Sequence, residues 1–145
     1  MVKGALLLPI EYLLFEVMVM AFIQYNANPN NNETIDCVIR GLSKVLDISW
    51  DAMHIILFFK AHTDKDVYLV NDVWIDLLKD LGFDMHYVPN TCPDCITVRR
   101  FCKQHPKGRY LLGTGSHVIA IVNGDYYDTW DSGDELPLYY FIRKE

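Results

Sequence analysis

The dipeptide Asn123-Gly124 separates two runs of β-branched and aromatic residues, Ser116-His-Val-Ile-Ala-Ile-Val122 and Asp125-Tyr-Tyr-Asp-Thr-Trp130. A two-residue type I′ turn needs positive φ at both central positions, and Asn-Gly accepts that with little strain, so the pair predicts a tight β-hairpin. With the turn placed there, Val122 faces Asp125, Ile121 faces Tyr126, Ile119 faces Asp128 and His117 faces Trp130. Side chains alternate along a strand, so His117, Ile119 and Ile121 share one face with Tyr126, Asp128 and Trp130. Asp125 and Asp131 fall on the other. A slip of one residue would invert the assignment.

Upstream of Gly108 the pattern is mostly helical. Ile35, Val38, Leu42, Val45 and Leu46 recur at helical spacing, with Thr34 or Asp36 as the cap and Cys37 in the first turn. Ser49 caps a helix from Trp50 to about His62. Asn71 or Asp72 opens a third helix through Leu81, stopped by Gly82. Phe83 to Val88 reads as a short strand, and Thr97 caps a fourth helix that Pro106 ends. Residues 109–113, 116–122, 125–130 and 138–142 read as strands, whereas 22–33, rich in Asn, reads as loop. Helices first and an antiparallel sheet after predict an α+β fold, with residues 20–145 forming one domain.

The chain of 145 residues is 51% apolar, enough for a sizeable core. Its formal charge is −6, and its thirteen Lys and Arg residues are scattered apart from Arg99, Arg100 and Lys103. That balance argues against a nucleic-acid partner, because phosphate binding needs concentrated positive charge. Residues 1–19 form an extension: either a weakly signal-like stretch or a segment upstream of a start at Met20. Glu11 and Glu16 interrupt its apolar run, which argues against a membrane span. A cytoplasmic protein with reduced thiols is therefore expected, secretion being the alternative if residues 1–19 are a signal peptide.

Two features of this layout carry chemistry. A thiol attacks a carbonyl at neutral pH only if its pKa is lowered, and a helix N-terminus beside an imidazole does that. Cys37 is in a first helical turn, and His117 opens a strand. The parity of the hairpin then selects Asp128 over Asp125 and Asp131 as the carboxylate able to orient the imidazole. Trp130, opposite His117, is a candidate roof over the ring. His54, His62 and His86 have no evident partner.

The segments Asp36-Cys-Val-Ile-Arg-Gly-Leu42, Thr97-Val-Arg-Arg-Phe101 with His105-Pro-Lys-Gly-Arg-Tyr110, and His117-Val-Ile-Ala through Tyr127-Asp-Thr-Trp-Asp-Ser-Gly133 resemble papain-like cysteine peptidases. The hairpin is most similar to the bacteriocin-leader peptidase branch and to small papain-like proteins of bacteria and their phages. The resemblance spans about residues 22–143. It implies a papain-like fold with the nucleophile helix first, and a peptide or protein substrate cleaved at a peptide or isopeptide bond through a thioester. It makes Cys37 the nucleophile, His117 the general base and later acid, and Asp128 the orienting residue. Such enzymes also place a side-chain amide before the Cys to bind the oxyanion. Asn31 is favoured here, with Asn26 and Gln24 as rivals, and the Cys37 backbone N–H is a second donor.

Cys92, Cys95, Cys102 and His105 spell C-x2-C-x6-C-x2-H, a spacing able to hold a structural zinc, although no cofactor is expected for the hydrolase. Cys92 and Cys95 alone are a candidate redox pair. Two rival readings follow: a binding module on the same fold with a degenerate, inactive cleft, as for a phage protein acting on its host, and a zinc-stabilised adaptor.

Overall fold

A computed structural model describes residues 20–144. The expectations for residues 1–19 lie outside the described residues. In chain order the elements are β1 (Phe22–Gln24), α1 (Cys37–Leu46), α2 (Trp50–Asp64), α3 (Asn71–Asp80), β2 (Phe83–Tyr87), α4 (Val98–Gln104), β3 (Arg109–Gly113), β4 (Val118–Val122), β5 (Asp125–Asp128) and β6 (Tyr139–Arg143). The architecture is α+β, with four helices and one six-stranded sheet among the described residues.

The hairpin forms at Asn123-Gly124, whose φ angles are 51° and 84°. Val122 pairs with Asp125, Ile121 with Tyr126 and Ala120 with Tyr127, the register that the turn predicts. The sheet order is β1-β5-β4-β3-β6-β2. Two expectations need correction here. Phe22–Gln24 is not loop but a strand, and it runs parallel to β5, so the sheet is mixed rather than wholly antiparallel. Three residues are too few to show a period, yet they pair with the backbone of β5, which would otherwise be an open edge.

Alternation along the strands builds two cores. Leu111, Val118, Ala120 and Phe141 pack with Leu42, Met53, Leu57, Trp74 and Leu78 of the first three helices. Leu112, Ile119, Ile121 and Tyr126 pack with Val98, Phe101 and Cys102 of α4. The sheet thus lies between α1–α3 and α4. Each fully buried Leu, Ile or Phe contributes about 1.5–3 kcal/mol.

Gly41 sets how closely α1 approaches the sheet. A Cβ there would meet Leu111 Cδ1 at 2.7 Å and Val118 Cγ2 at 3.6 Å. Without it, α1 lies directly on β3 and β4, which brings its first turn to the start of β4. Gly41→Val would force the two apart and separate Cys37 from His117.

Candidate active site

Three segments converge where α1 begins and β4 starts. Asp36 occupies the N-cap of α1, but its side chain makes no capping hydrogen bond. The first intrahelical bond runs from Arg40 N–H to the Asp36 carbonyl at 2.9 Å, so the Cys37 N–H belongs to the turn that has no helical acceptor. Cys37 is half-buried. On the other side, Thr114 anchors the start of β4: its Oγ1 accepts the His117 N–H at 3.1 Å, and its own N–H donates to the His117 carbonyl at 2.8 Å.

His117 Nε2 lies 2.6 Å from Asp128 Oδ2. The other oxygen of Asp128 accepts the Thr129 N–H at 2.8 Å and Arg40 Nη1 at 3.2 Å. Cys37 and His117 line one cavity of about 160 Å³ together with Leu69, Asn71, Trp74 and Tyr139. A second cavity, of about 440 Å³, lies beyond Ile35 and is bounded by Glu33, Arg40 and Trp130.

The electrostatics couple the thiol to the imidazole. Burial works to raise the Cys37 pKa, but hydrogen bonds from His117 and the Val118 N–H, with the charges of His117 and Arg40, hold it below the ordinary thiol value. Burial works to lower the His117 pKa, yet hydrogen bonds to Asp128 and Cys37 and their negative charges lift it to about 9. Burial also opposes ionisation of Asp128, and the hydrogen bond and charge of His117 overcome it and keep that carboxyl below its usual range. All three shifts favour one charge distribution: thiolate, imidazolium and carboxylate.

Trp130 lies beside the imidazole, with ring centroids 5.6 Å apart and planes inclined at 30°. It is 46% exposed, so it shields one side of the ring rather than sealing it.

The three amides expected at the oxyanion are placed otherwise. Gln24 Nε2 donates to the Thr129 carbonyl at 2.8 Å, and Asn26 Nδ2 to the Asn32 carbonyl at 3.1 Å. Asn31 sits exposed in a turn at φ 54°. None of the three lines either cavity. The asparagine-rich loop is engaged with itself: Asn28 N–H donates to Asn26 Oδ1, and Asn30 N–H to Asn28 Oδ1. That is the local bonding asparagine favours in turns. The amide that does line the Cys37 cavity is Asn71, the first residue of α3. Its Oδ1 accepts the Trp74 indole N–H at 3.2 Å, which leaves the amide nitrogen as a donor. Sequence reading used Asn71 only as a helix start, and nothing local in the sequence pairs it with Cys37.

The zinc quartet is not brought together. Cys92 and Cys95 are joined in a disulfide, against the expected reduced thiols. Cys102 is buried in the α4 core, where desolvation pushes its thiol up to about 12. His105 stacks on Phe101 with ring centroids 3.9 Å apart, its Nδ1 2.9 Å from the Phe101 carbonyl. Spacing suggested one helix face for Cys102 and His105, but α4 ends at Gln104 and His105 turns away as its C-cap. Among the described residues no group of three His, Cys, Asp or Glu side chains is placed to hold a metal ion.

The two arginines of α4 are engaged by carboxylates: Arg99 pairs with Asp131 and Asp134, and Arg100 with Asp94. No helix among the described residues is long and apolar enough to cross a membrane. Compared with protein-family models, curated proteins and solved structures, the chain matches none.

Proposed function

We propose that the chain is a papain-like cysteine hydrolase that cleaves a peptide or isopeptide bond with Cys37, His117 and Asp128. The observation that carries this reading is three groups brought together: a half-buried thiol at a helix start, an imidazole in the same cavity, and a buried carboxylate 2.6 Å from its Nε2. A structural thiol or a core histidine needs no such arrangement.

The raised His117 and lowered Cys37 both favour transfer of the thiol proton to the imidazole, which then serves as the acid toward the leaving amine. The Cys37 thiolate attacks the carbonyl carbon and forms a C–S bond. The Cys37 N–H, which has no helical acceptor, is the donor proposed for the oxyanion that develops. His117 then gives its proton to the departing amine as the C–N bond breaks, leaving a thioester. Neutral His117 takes a proton from water, hydroxide adds to the thioester, and the acid leaves as thiolate and imidazolium are restored. Asp128 holds the ring's orientation throughout and its tautomer when it is neutral.

A filled cleft, or a Cys37 sulfur far from His117, would favour the rival reading of an inactive binding module; a cavity of about 160 Å³ lies open beside Cys37 and His117. The test is labelling with iodoacetamide near pH 7, read residue by residue by mass spectrometry, alongside a peptide-aldehyde probe. Cys37 reacts much faster than Cys102 and alone is captured by the aldehyde. Equal rates at the two thiols would remove the activated thiolate, and with it the proposal.

A further inference from the structure

Asp36, Arg40 and Asp128 are the buried charged residues among those described, and the chemistry above uses only the last. Charges taken out of water are costly to fold, and an ion pair seldom recovers more than that cost. A buried pair beside a catalytic carboxylate therefore needs a reason in the site.

Its geometry supplies one. Arg40 lies three residues beyond Cys37, on the same side of α1. Its Nε donates to Asp36 Oδ1 at 2.6 Å, and its Nη1 reaches Asp128 Oδ1 at 3.2 Å and Thr129 Oγ1 at 3.5 Å. Asp36 is held from behind, its Oδ2 accepting the Trp50 indole N–H at 2.9 Å. The chain of contacts runs Trp50–Asp36–Arg40–Asp128–His117 and ends at the thiol. It joins the helix that carries the nucleophile to the hairpin that carries the acid.

We propose that Arg40 is a positioning residue for the thiolate–imidazolium pair. It occupies Asp128 Oδ1 so that Oδ2 faces His117 Nε2, and it ties α1 to β5 across the site. The Asp36 side chain, diverted from capping its own helix, serves as the anchor that orients the guanidinium fork. A lysine carries the same charge but not the planar fork, so it cannot make both contacts in this geometry. This inference rests on the proposed hydrolase reading.

The experiment compares the intact chain with Arg40→Lys, Asp128→Asn and the double variant. Iodoacetamide alkylation of Cys37 is followed at pH 6, and the His117 Nε2–H resonance by proton NMR. The expected result for Arg40→Lys is a folded protein by thermal unfolding, a shifted or lost resonance, and alkylation slowed about tenfold, the effect of one unit in thiol pKa. In the Asp128→Asn background the same substitution adds nothing, because it acts through a carboxylate already gone. Unchanged alkylation and resonance in Arg40→Lys, or losses that multiply in the double variant, would overturn the inference. Should Arg40→Lys fail to fold, Trp50→Phe tests the same chain from its far end, with a shifted resonance expected and an unmoved one counting against it. A failure of the hydrolase reading looks different. The unsubstituted Cys37 would then alkylate no faster than Cys102, while the resonance still reports whether Arg40 holds Asp128 to His117.

Discussion

Cys37 opens α1 beside a cavity and an imidazole, whereas Cys102 lies within α4 at 1% exposure, packed among Phe101, Ile121 and Tyr126. Both are desolvated, and desolvation alone would silence both. At Cys102 it does, with the nearby charge of Asp125 adding to it. At Cys37 the hydrogen bonds of His117 and the Val118 N–H, together with two positive charges, reverse the outcome. What separates a thiol shifted down from one shifted up here is therefore the set of groups that meet the sulfur, with burial common to both.

The largest test of that contrast removes the reactive thiol. Cys37→Ala abolishes both peptide-aldehyde capture and hydrolysis, leaving only slow alkylation elsewhere; residual capture would place the nucleophile at another residue. Next comes the carboxylate. Asp128→Asn keeps the shape but lets His117 adopt either tautomer and withdraws the charge that supports the imidazolium. Turnover on a cleavable peptide should fall about 10²-fold or more. A loss below threefold would show that His117 needs no orienting carboxylate.

The pH dependence sharpens the same comparison. On the proposed reading, activity should rise as Cys37 ionises, below the ordinary thiol range, and fall as His117 loses its proton near pH 9. Stability follows in sign. The raised His117 contributes stability that is whole below its ordinary value of 6.5 and is lost as pH climbs through about 9. The lowered Asp128 contributes stability present above 3.8 and lost as pH falls through its depressed value. Alkylation of Cys37 that rises only above pH 8, as for a solvent-exposed thiol, would contradict the ion pair.

The features legible in the sequence were the ones set by neighbours along the chain. Asn123-Gly124 determined a turn, and the turn determined parity, so Asp128 could be selected over two other aspartates. Ser49 and Thr97 could be read as caps because a cap bonds two or three residues away, to Ala52 N–H and Arg100 N–H. The features that escaped depend on distant partners. β1 exists because Phe22–Gln24 finds β5 a hundred residues on. Nothing near Arg40 in the sequence marks it out, because Asp128 and Thr129 reach it from the hairpin 88 and 89 residues on. The Asn-rich loop misled for the opposite reason. Its amides have the right chemistry for an oxyanion, but at that density they bond one another.

The smallest expected effect lies at the inert thiol. Cys102→Ala removes a sulfur from a packed core and leaves a small void, which costs about 1 kcal/mol of stability, a typical value for a single core change. Thermal unfolding should register it as a drop of a few degrees. Cys37, His117 and Asp128 are reached from α1 and the β4–β5 hairpin, whereas Cys102 packs against Ile121 and Tyr126 of that hairpin and makes no hydrogen bond to the three, so alkylation at Cys37 should stay within about twofold, the scatter expected of independent sites. The two thiols would then show opposite phenotypes, one losing chemistry with the fold intact and the other losing stability with chemistry intact. If Cys102→Ala slows Cys37 severalfold at a temperature where the protein is folded, the α4 core and the site are mechanically coupled through β5. Reactivity at Cys37 would then depend on more than the groups that meet its sulfur.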